Sequence, residues 1–300
     1  MSSHQNLNNR VKIEVENALT QKFGEMVKVL NSTLIGGGCI SAASKIKTNV
    51  GEFFLKWNAN CQTDMFLREE ESLKELKKAA GNQLVIPEVF ASKIVDSTPG
   101  FLILECLSHR SLTSGDEEKL GRGLALIHKC SAKRFGFYNN NYCGATLQNN
   151  LWTKSWIEFF RDKRLRFLLN LIQNERPLSD HELKIYDKLL DRIPKLLPEE
   201  SKPVLIHGDL WSGNFMISKR GPALIDPASY YAEREMEMAI MKMFGGFSAR
   251  FYDAYKEVNL LAPDWKHRNQ LYQIYHILNH YYLFGGAYQK QALTSAKSYL

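Results

Sequence analysis

Two short apolar runs, each followed within three residues by an aspartate, constrain this chain more than any other feature of its sequence. The run Val204–Ile206 leads into an H-G-D tripeptide that ends at Asp209, and Asn214 lies five residues further on. A second run, 223–225, leads directly into Asp226. Short apolar runs of this kind are typical of buried strands. Two strand ends are therefore predicted to bring an aspartate, an asparagine and a second aspartate to one place.

These three side chains match the needs of phosphoryl transfer. A carboxylate at Asp209 could accept the proton of an attacking hydroxyl group. An amide oxygen at Asn214 and a carboxylate at Asp226 could hold Mg2+ against the phosphates of ATP. The spacing H-x-D-x-x-x-x-N, followed by a strand that ends in Asp, resembles the catalytic and metal-binding loops of the protein-kinase-like fold. The alternative is a pair of polar turns between strands, since H-x-D alone is a weak signal.

The composition is that of a globular chain with a large core. The 300 residues are 44% hydrophobic, which is enough for one large domain or for two lobes. No apolar run is long enough to predict a transmembrane helix, and the polar start of the chain has no apolar signal core. The five cysteines form no C-x-x-C pair, so we expect reduced thiols and a cytoplasmic location.

The formal net charge of +7 could indicate a nucleic-acid partner. The basic residues are scattered, however, and their small groups lie in predicted helices beside acidic residues. We therefore favour a solvated basic surface, with part of the charge serving ATP, and expect neither a nucleic-acid nor a membrane partner. The oligomeric state is left open.

A glycine run marks a candidate phosphate-binding loop. A helix is predicted at 9–23, followed by strands at 26–36, 40–48 and 52–57. The loop between the first two strands contains Gly36, Gly37, Gly38 and Cys39. Without a Cβ in the way, backbone amides can approach an anion such as a phosphate. An ordinary flexible turn is the alternative.

A lysine in the third predicted strand supports the phosphate interpretation. Lys56 stands among apolar residues, so its side chain either lies on the solvent-exposed face of the strand or binds a phosphate. A helix is predicted at 65–80, and Glu69 could pair with Lys56 across the interface between strand and helix. Glu70 and Glu71 are rival candidates. We choose Glu69 because the apolar positions of the helix set the buried face beside it.

Two further strands are predicted at 85–95 and 100–105, separated by a Pro-Gly turn. The second runs into a polar segment, 108–114, and resembles the hinge of kinase-like folds. There the backbone carbonyl of Glu105 and the backbone amide of Leu107 would bind adenine. A surface carboxylate at the end of a strand is the alternative interpretation of Glu105.

Beyond the hinge the apolar periodicity is helical, apart from the two catalytic strands. Helices are predicted at 116–130, 149–174 and 179–193 and within 233–300. We therefore predict an α+β, bilobal protein-kinase-like fold. Residues 1–108 would form an ATP-binding lobe with an antiparallel sheet and one helix, and 109–300 a larger, mainly helical lobe for catalysis and acceptor binding.

The chain resembles the fructosamine kinase (ketosamine kinase) family along nearly its whole length. The similarity rests on G-G-G-C-I-S at 36–41, F-F-L-K at 53–56, G-A-T-L-Q-N-N at 144–150, H-G-D-L-W-S-G-N at 207–214, I-D-P-A at 225–228, F-G-G-F at 244–247 and L-Y-Q-I-Y-H-I-L-N-H at 271–280. Carried over position by position, the resemblance implies a catalytic base at Asp209, metal ligands at Asn214 and Asp226, and a phosphate-pairing lysine at Lys56 with Glu69 as its partner.

The resemblance also implies the substrate and the cofactors. Trp211 lies where the family's tryptophan faces the sugar, with a buried core tryptophan as the alternative; His276 and His280 are interpreted as core histidines. ATP and Mg2+ would be the cofactors. Small-molecule ketosamines or glycated protein lysines would be the acceptors. Phosphorylation at the third carbon of the sugar would make the adduct unstable, which is a deglycation role.

Two departures from protein kinases indicate a small-molecule kinase. Gly208 stands where protein kinases have arginine, and only residues 227–234 separate Asp226 from the next predicted helix. No room remains for a long activation segment, so we expect a constitutively assembled site. Ala232 and Glu233 take positions where the family commonly has a glycine, and we assign that loop no role. The open alternatives are a kinase for another small alcohol, such as an aminoglycoside or choline, and an inactive ATP-binding module.

Cys39 is a candidate redox-sensitive residue. It follows three glycines in a loop expected to present backbone amides, with Lys56 nearby, and such surroundings favour the thiolate. Oxidation would then inhibit the enzyme reversibly. A small residue that packs under the loop is the alternative.

Overall fold

The structure is a computed structural model and describes residues 7–35 and 41–300. The strands are β1 Val29–Ile35, β2 Ala42–Thr48, β3 Gly51–Asn58, β4 Val89–Lys93, β5 Gly100–Glu105, β6 Asn141–Cys143, β7 Thr146–Gln148, β8 Val204–Ile206, β9 Phe215–Ser218, β10 Gly221–Leu224 and β11 Tyr230–Ala232. The helices are α1 Asn9–Phe23, α2 Met65–Ala80, α3 Ser114–Ile127, α4 Trp156–Glu158, α5 Phe167–Glu175, α6 Asp180–Leu196, α7 Glu235–Phe244, α8 Ala249–Val258, α9 Trp265–Phe284 and α10 Tyr288–Lys297.

The N-terminal part contains the predicted antiparallel sheet, and its strands are arranged in the order β1-β2-β3-β5-β4. Side chains along β5 alternate between two cores, as the pleat of a strand requires. Phe101 and Ile103 join a small core with α1. Leu102 and Leu104 join the main core, which continues through α2 into the helical C-terminal part. The two faces of the sheet thus pack against different helices.

The predicted strand at 85–95 is wrong at its start, since β4 begins only at Val89. Val85 pairs instead with β10: its amide donates to the Pro222 carbonyl at 2.8 Å, and its carbonyl accepts from the Leu224 amide at 3.0 Å. This exchange ties the N-terminal sheet to the strand that delivers Asp226.

The two catalytic strands lie in separate small ladders. β8 pairs with β11, with Ile206 opposite Tyr230, and β9 pairs with β10. β11 occupies part of the short segment after Asp226, and α7 begins at Glu235. The absence of a long activation segment is therefore confirmed between these described residues.

The predicted helix at 149–174 is wrong in its first part. Phe135 and Thr153 exchange backbone hydrogen bonds at 2.9 and 2.8 Å, which hold that stretch extended. Ser155 then caps α4 by accepting from the Glu158 amide. A π-helix, Phe159–Arg166, separates α4 from α5. The hairpin formed by β6 and β7 is not anticipated by the sequence, because three-residue strands carry no periodic signal.

Four helices, α7 to α10, occupy the aromatic-rich C-terminal stretch, where helical periodicity is predicted. Among the helices of residues 7–35 and 41–300, none combines the length and the apolar character needed to cross a membrane.

Candidate active site

His207 connects the two strand ends that carry the acidic residues. Its ring is buried, and Nε2–H donates to the carbonyl of Ile225 at 2.9 Å. Nδ1 accepts from the amide of Asp209 at 3.3 Å. Burial lowers the pKa of His207, so the ring is neutral. Each of its two nitrogens therefore has one hydrogen-bond partner in the neutral form. The histidine of the H-G-D tripeptide therefore positions Asp209 beside the end of the strand that delivers Asp226.

Gly208 lies where no other residue fits. Its φ is 87°, in the left-handed region, and a Cβ there would lie 2.1 Å from the carbonyl oxygen of Ala228. The loop after β8 thus packs directly against the segment that follows Asp226. This contact gives a physical reason for glycine at the position where protein kinases have arginine.

Glu237 on α7 holds the same loop and is missed by the sequence interpretation. Its fully buried carboxylate accepts from the amides of His207 and Gly208, the latter at 3.1 Å. The Nε2 atom of His128 lies 3.7 Å away. Two buried N–H groups would otherwise lack a partner at this turn. The available signal was an acidic residue on the apolar stretch of α7.

Asp209 and Asn214 are in direct contact, as their spacing predicts. The Asn214 amide group donates to the backbone carbonyl of Asp209 at 2.7 Å and to its carboxylate at 3.0 Å. Burial raises the pKa of Asp209 to about 8, and the charge of Asp226 adds to the effect while the Asn214 hydrogen bond opposes it. A carboxyl group with a pKa near neutrality is suited to exchanging a proton with an alcohol.

Lys56 joins the N-terminal sheet to this centre. Its Nζ atom lies 2.7 Å from Glu69 and 3.1 Å from Asp226. Burial disfavours the Lys56 ammonium, but the two carboxylates outweigh it, so the pKa of Lys56 is raised and the side chain stays charged. Glu70 and Glu71 contact other side chains. The structure thus brings the predicted pair together and leaves both rivals elsewhere.

The donor set of Asn214 and Asp226 fits a magnesium ion held together with phosphates. The Asn214 amide nitrogen is engaged by Asp209, which leaves the amide oxygen for another contact. Asp226 has a φ of 56°, and its carboxylate is 44% exposed. The described residues contain no cluster of three or more His, Cys, Asp or Glu that could bind a metal alone. Mg2+ commonly takes one or two protein ligands and completes its shell with phosphates and water.

We expect the Glu69→Gln variant to lower kcat about tenfold or more, because it removes the charge that partners Lys56 in a partly buried position. Steady-state kinetics and a melting curve measure the effect. The matched control is Glu70→Gln, which changes the neighbouring residue, whose carboxylate pairs with Lys74 instead. Equal losses in the two variants would contradict the assignment of Glu69.

The predicted nucleotide contacts are only partly described. Glu105 ends β5, and its carboxylate pairs with Arg220 at 2.7 Å, so its side chain bridges to the turn between β9 and β10. The adenine contacts of the Glu105 carbonyl and the Leu107 amide stay predictions. The phosphate-loop and redox predictions fall outside the described residues, namely Gly36, Gly37, Gly38 and Cys39.

An exposed aromatic surface lies beside the predicted base. Trp211 is 39% exposed, which disagrees with a core role, and its ring lies 5.9 Å from that of Phe244. Phe244 lies 5.0 Å from His280, whose ring also contacts Phe284 and Tyr288. We call these five residues the acceptor face. His280 is therefore half-buried on this surface, and not in the core as predicted.

In this site a lysine from an antiparallel sheet pairs with a glutamate on a helix, and two neighbouring loops supply Asp, Asn and Asp. This arrangement defines a phosphotransferase of the protein-kinase-like fold. Residues 12–300 match the fructosamine kinase family. The chain therefore belongs to that family.

Curated relatives and solved structures agree with this placement. A chloroplastic protein-ribulosamine 3-kinase from Oryza sativa subsp. indica is 38% identical, over 92% of this chain and 81% of the relative. A ketosamine-3-kinase from Mus musculus is 35% identical, over 86% and 91%. A solved Thermobifida fusca structure named as a fructosamine-3-kinase has a TM-score of 0.83 at 28% identity, covering 95% and 98%. An aminoglycoside phosphotransferase, with a TM-score of 0.58 at 16% identity and coverage of 95% and 97%, supports the fold alone.

Proposed function

We propose that this protein transfers the γ-phosphate of ATP to a sugar hydroxyl of a ketosamine, free or attached to a protein lysine. The observation that carries the proposal is the position of the exposed Trp211 ring, which opens the acceptor face two residues beyond Asp209. The rice and mouse relatives, named for ribulosamine and ketosamine 3-kinase activity, support this class of acceptor.

Each residue of the centre has a role in this reaction. Asp209 would accept the proton of the attacking hydroxyl group and hold it on its carboxylate. Lys56 would bind phosphate oxygens, oriented by Glu69. Asn214 and Asp226 would hold Mg2+, which, when bound, neutralises charge on the phosphates.

The acceptor face suits an acceptor that combines a cationic amine with a sugar, as a ketosamine does. A ketosamine joins a sugar to a secondary amine, which is cationic near neutral pH. Aromatic rings attract such a cation through their faces and also pack against the C–H surface of a sugar. Trp211, Phe244 and His280 present rings of this kind in one continuous row.

We expect Trp211→Leu to raise the KM for the ketosamine about tenfold and to change the KM for ATP little, because cation–π and ring contacts contribute about 0.5–2 kcal/mol each. Steady-state kinetics with each substrate varied in turn give both values. Phe23→Leu is the matched control, since Phe23 is an aromatic of similar exposure, 41%, on α1. Equal changes in both KM values for Trp211→Leu would contradict an acceptor role.

A substrate panel with ATP consumption as the readout tests the proposed function. The arms are fructose-derived and ribose-derived lysine ketosamines, a glycated protein, free sugars, an aminoglycoside and choline. Turnover of the ketosamines alone is the expected result. Preference for the aminoglycoside or choline would favour a kinase for another small alcohol, and nucleotide binding without turnover would favour an inactive module.

The biological setting follows from the same proposal. Phosphorylation of a protein-bound ketosamine would make the adduct unstable and would remove it, which is a deglycation role. A cytoplasmic location stays a prediction, because the rice relative is described as chloroplastic. The absence of nucleic-acid and membrane partners stays a prediction too.

A further inference from the structure

We propose that strand β6 couples α2 to the catalytic loops and so holds the Lys56–Glu69 pair assembled, with Tyr142 as its positioning residue. The inference rests on the proposed function, because it concerns how the same site is kept active. The segment between Asp226 and α7 is too short to form an activation segment that could fix α2, so another element must hold this helix.

One side of β6 faces α2. Tyr142 donates its hydroxyl to the Asp64 carboxylate at 2.6 Å. Asp64 immediately precedes α2, and its other carboxylate oxygen accepts from Arg68 at 2.7 Å. Arg68 is the neighbour of Glu69 on the helix. The hydroxyl of Tyr142 therefore fixes the first turn of α2, and Glu69, the partner of Lys56, directly follows that turn.

A second contact, from a residue just before β6, also holds α2 in place. The Asn139 amide donates to both carboxylate oxygens of Glu71 at 3.1 and 3.2 Å, and Glu71 also accepts from Arg68 at 2.6 Å. Tyr231, on β11, donates its hydroxyl to Glu75 one turn further along α2. Hydrogen bonds to charged carboxylates are stronger than neutral ones, so these contacts hold the helix at a defined position.

The other side of β6 faces the catalytic loops, because successive side chains of a strand point in opposite directions. Asn141 is 2% exposed and donates to the carbonyl of Ser229, three residues past Asp226, at 2.8 Å. Its own side-chain oxygen accepts from Gln148 and Asn150 at 3.0 and 2.8 Å. The loop that carries Asp226 is thus held by a fully buried amide network.

Cys143 completes this inner side. Its thiol lies against the Asp209 carboxylate, and the Asn279 side chain on α9 donates to its carbonyl at 3.3 Å and to its sulfur at 3.4 Å. One three-residue strand therefore contacts the helix of the ion pair, the segment after Asp226 and the predicted base. A shift of β6 would move all three together.

The Tyr142→Phe variant tests the proposal. It keeps the ring and removes only the hydroxyl that binds Asp64. We expect kcat to fall about three- to tenfold while the KM for the acceptor stays unchanged, because fewer molecules hold α2 in place. Hydrogen–deuterium exchange of the amides of α2 should become faster, since the helix opens more often.

Tyr282→Phe is the matched control. It removes a hydroxyl that donates to Glu175 at 2.5 Å, which is the same kind of hydrogen bond between α9 and α5. Its kcat and the exchange of α2 should equal those of the wild type. A melting curve for both variants shows whether each has lost a similar amount of general stability.

A double-variant cycle with Asp64→Ala separates the hydrogen bond from general packing, because alanine removes the oxygen that accepts from Tyr142. Tyr142→Phe should add less than about twofold to the loss already caused by Asp64→Ala, because both changes break the same hydrogen bond. Full additivity would overturn the proposal. So would a lower kcat with unchanged exchange of α2, or faster exchange with unchanged kcat.

The exchange measurement also distinguishes a failure of the coupling between β6 and α2 from a failure of the proposed function. It needs no acceptor, so it reports on the coupling of β6 to α2 even if the wild-type protein turns over no ketosamine. In that case faster exchange of α2 in Tyr142→Phe than in Tyr282→Phe would support the coupling, and equal or slower exchange would overturn it, while the proposed function fails on its own assay.

Discussion

Replacing Asp209 with asparagine should lower kcat by about 10²–10⁴-fold and leave the fold and the affinity for ATP intact. The asparagine keeps the size of the side chain but cannot take the proton of the attacking hydroxyl group, and general-base contributions span that range. Asp209 contacts Asn214 and lies two residues before Trp211, the first residue of the acceptor face. Single-turnover kinetics with ATP and a ketosamine isolate the chemical step.

Asp253→Asn is the matched control for this variant. Asp253 is 70% exposed and pairs with Lys256 on the same helix. Its replacement should change kcat by less than about twofold, since exposed pairs of this kind contribute little. An Asp209→Asn enzyme with turnover close to that of Asp253→Asn would contradict the base assignment.

Replacing Asp226 with asparagine should cost about a hundredfold or more in kcat, because charge stabilisation by a bound metal contributes several kcal/mol. Asparagine tolerates the φ of 56° at this position, so the backbone can stay as it is. The variant also removes one of the two carboxylates beside Lys56. Calorimetry of ATP binding with and without Mg2+, together with a magnesium titration of kcat, measures the effect.

Two results distinguish a metal role from a structural one at this position. A metal ligand predicts that ATP alone binds Asp226→Asn about as well as the wild type, while the gain from adding Mg2+ is lost. Unchanged binding of Mg-ATP together with unchanged turnover would show that Asp226 is no ligand.

The centre could be predicted because its signals are local in sequence. The spacing from Asp209 to Asn214 and the strand before Asp226 fix their order along two loops. Lys56 stands out as a charge in an apolar strand, and the periodicity of α2 separates Glu69 from Glu70. In each case the chemical requirement and the pattern occupy the same short stretch of chain.

The supporting residues could not be predicted because their partners are distant and often belong to the backbone. The carboxylate of Glu237 accepts hydrogen bonds from backbone amides that lie about 30 residues earlier in the sequence. A pattern of side chains does not show that the backbone amides of a turn need such an acceptor. The β6 strand is three residues long, so its alternation is too short to detect. The side chain of Asn150 donates to Asn141 in the buried amide network, and Asn150 lies outside any helix. The prediction of a helix at 149–174 is therefore wrong at this residue.

Direct identification of the product tests the central claim most directly. The purified protein is incubated with Mg-ATP and a ribose-derived lysine ketosamine, and the products are followed by phosphorus NMR and mass spectrometry. The account predicts one phosphorylated ketosamine for each ADP formed, and formation of both products at least about a hundredfold more slowly with the Asp209→Asn variant. ADP without a phosphorylated ketosamine, or no turnover of any ketosamine by the wild type, would contradict it.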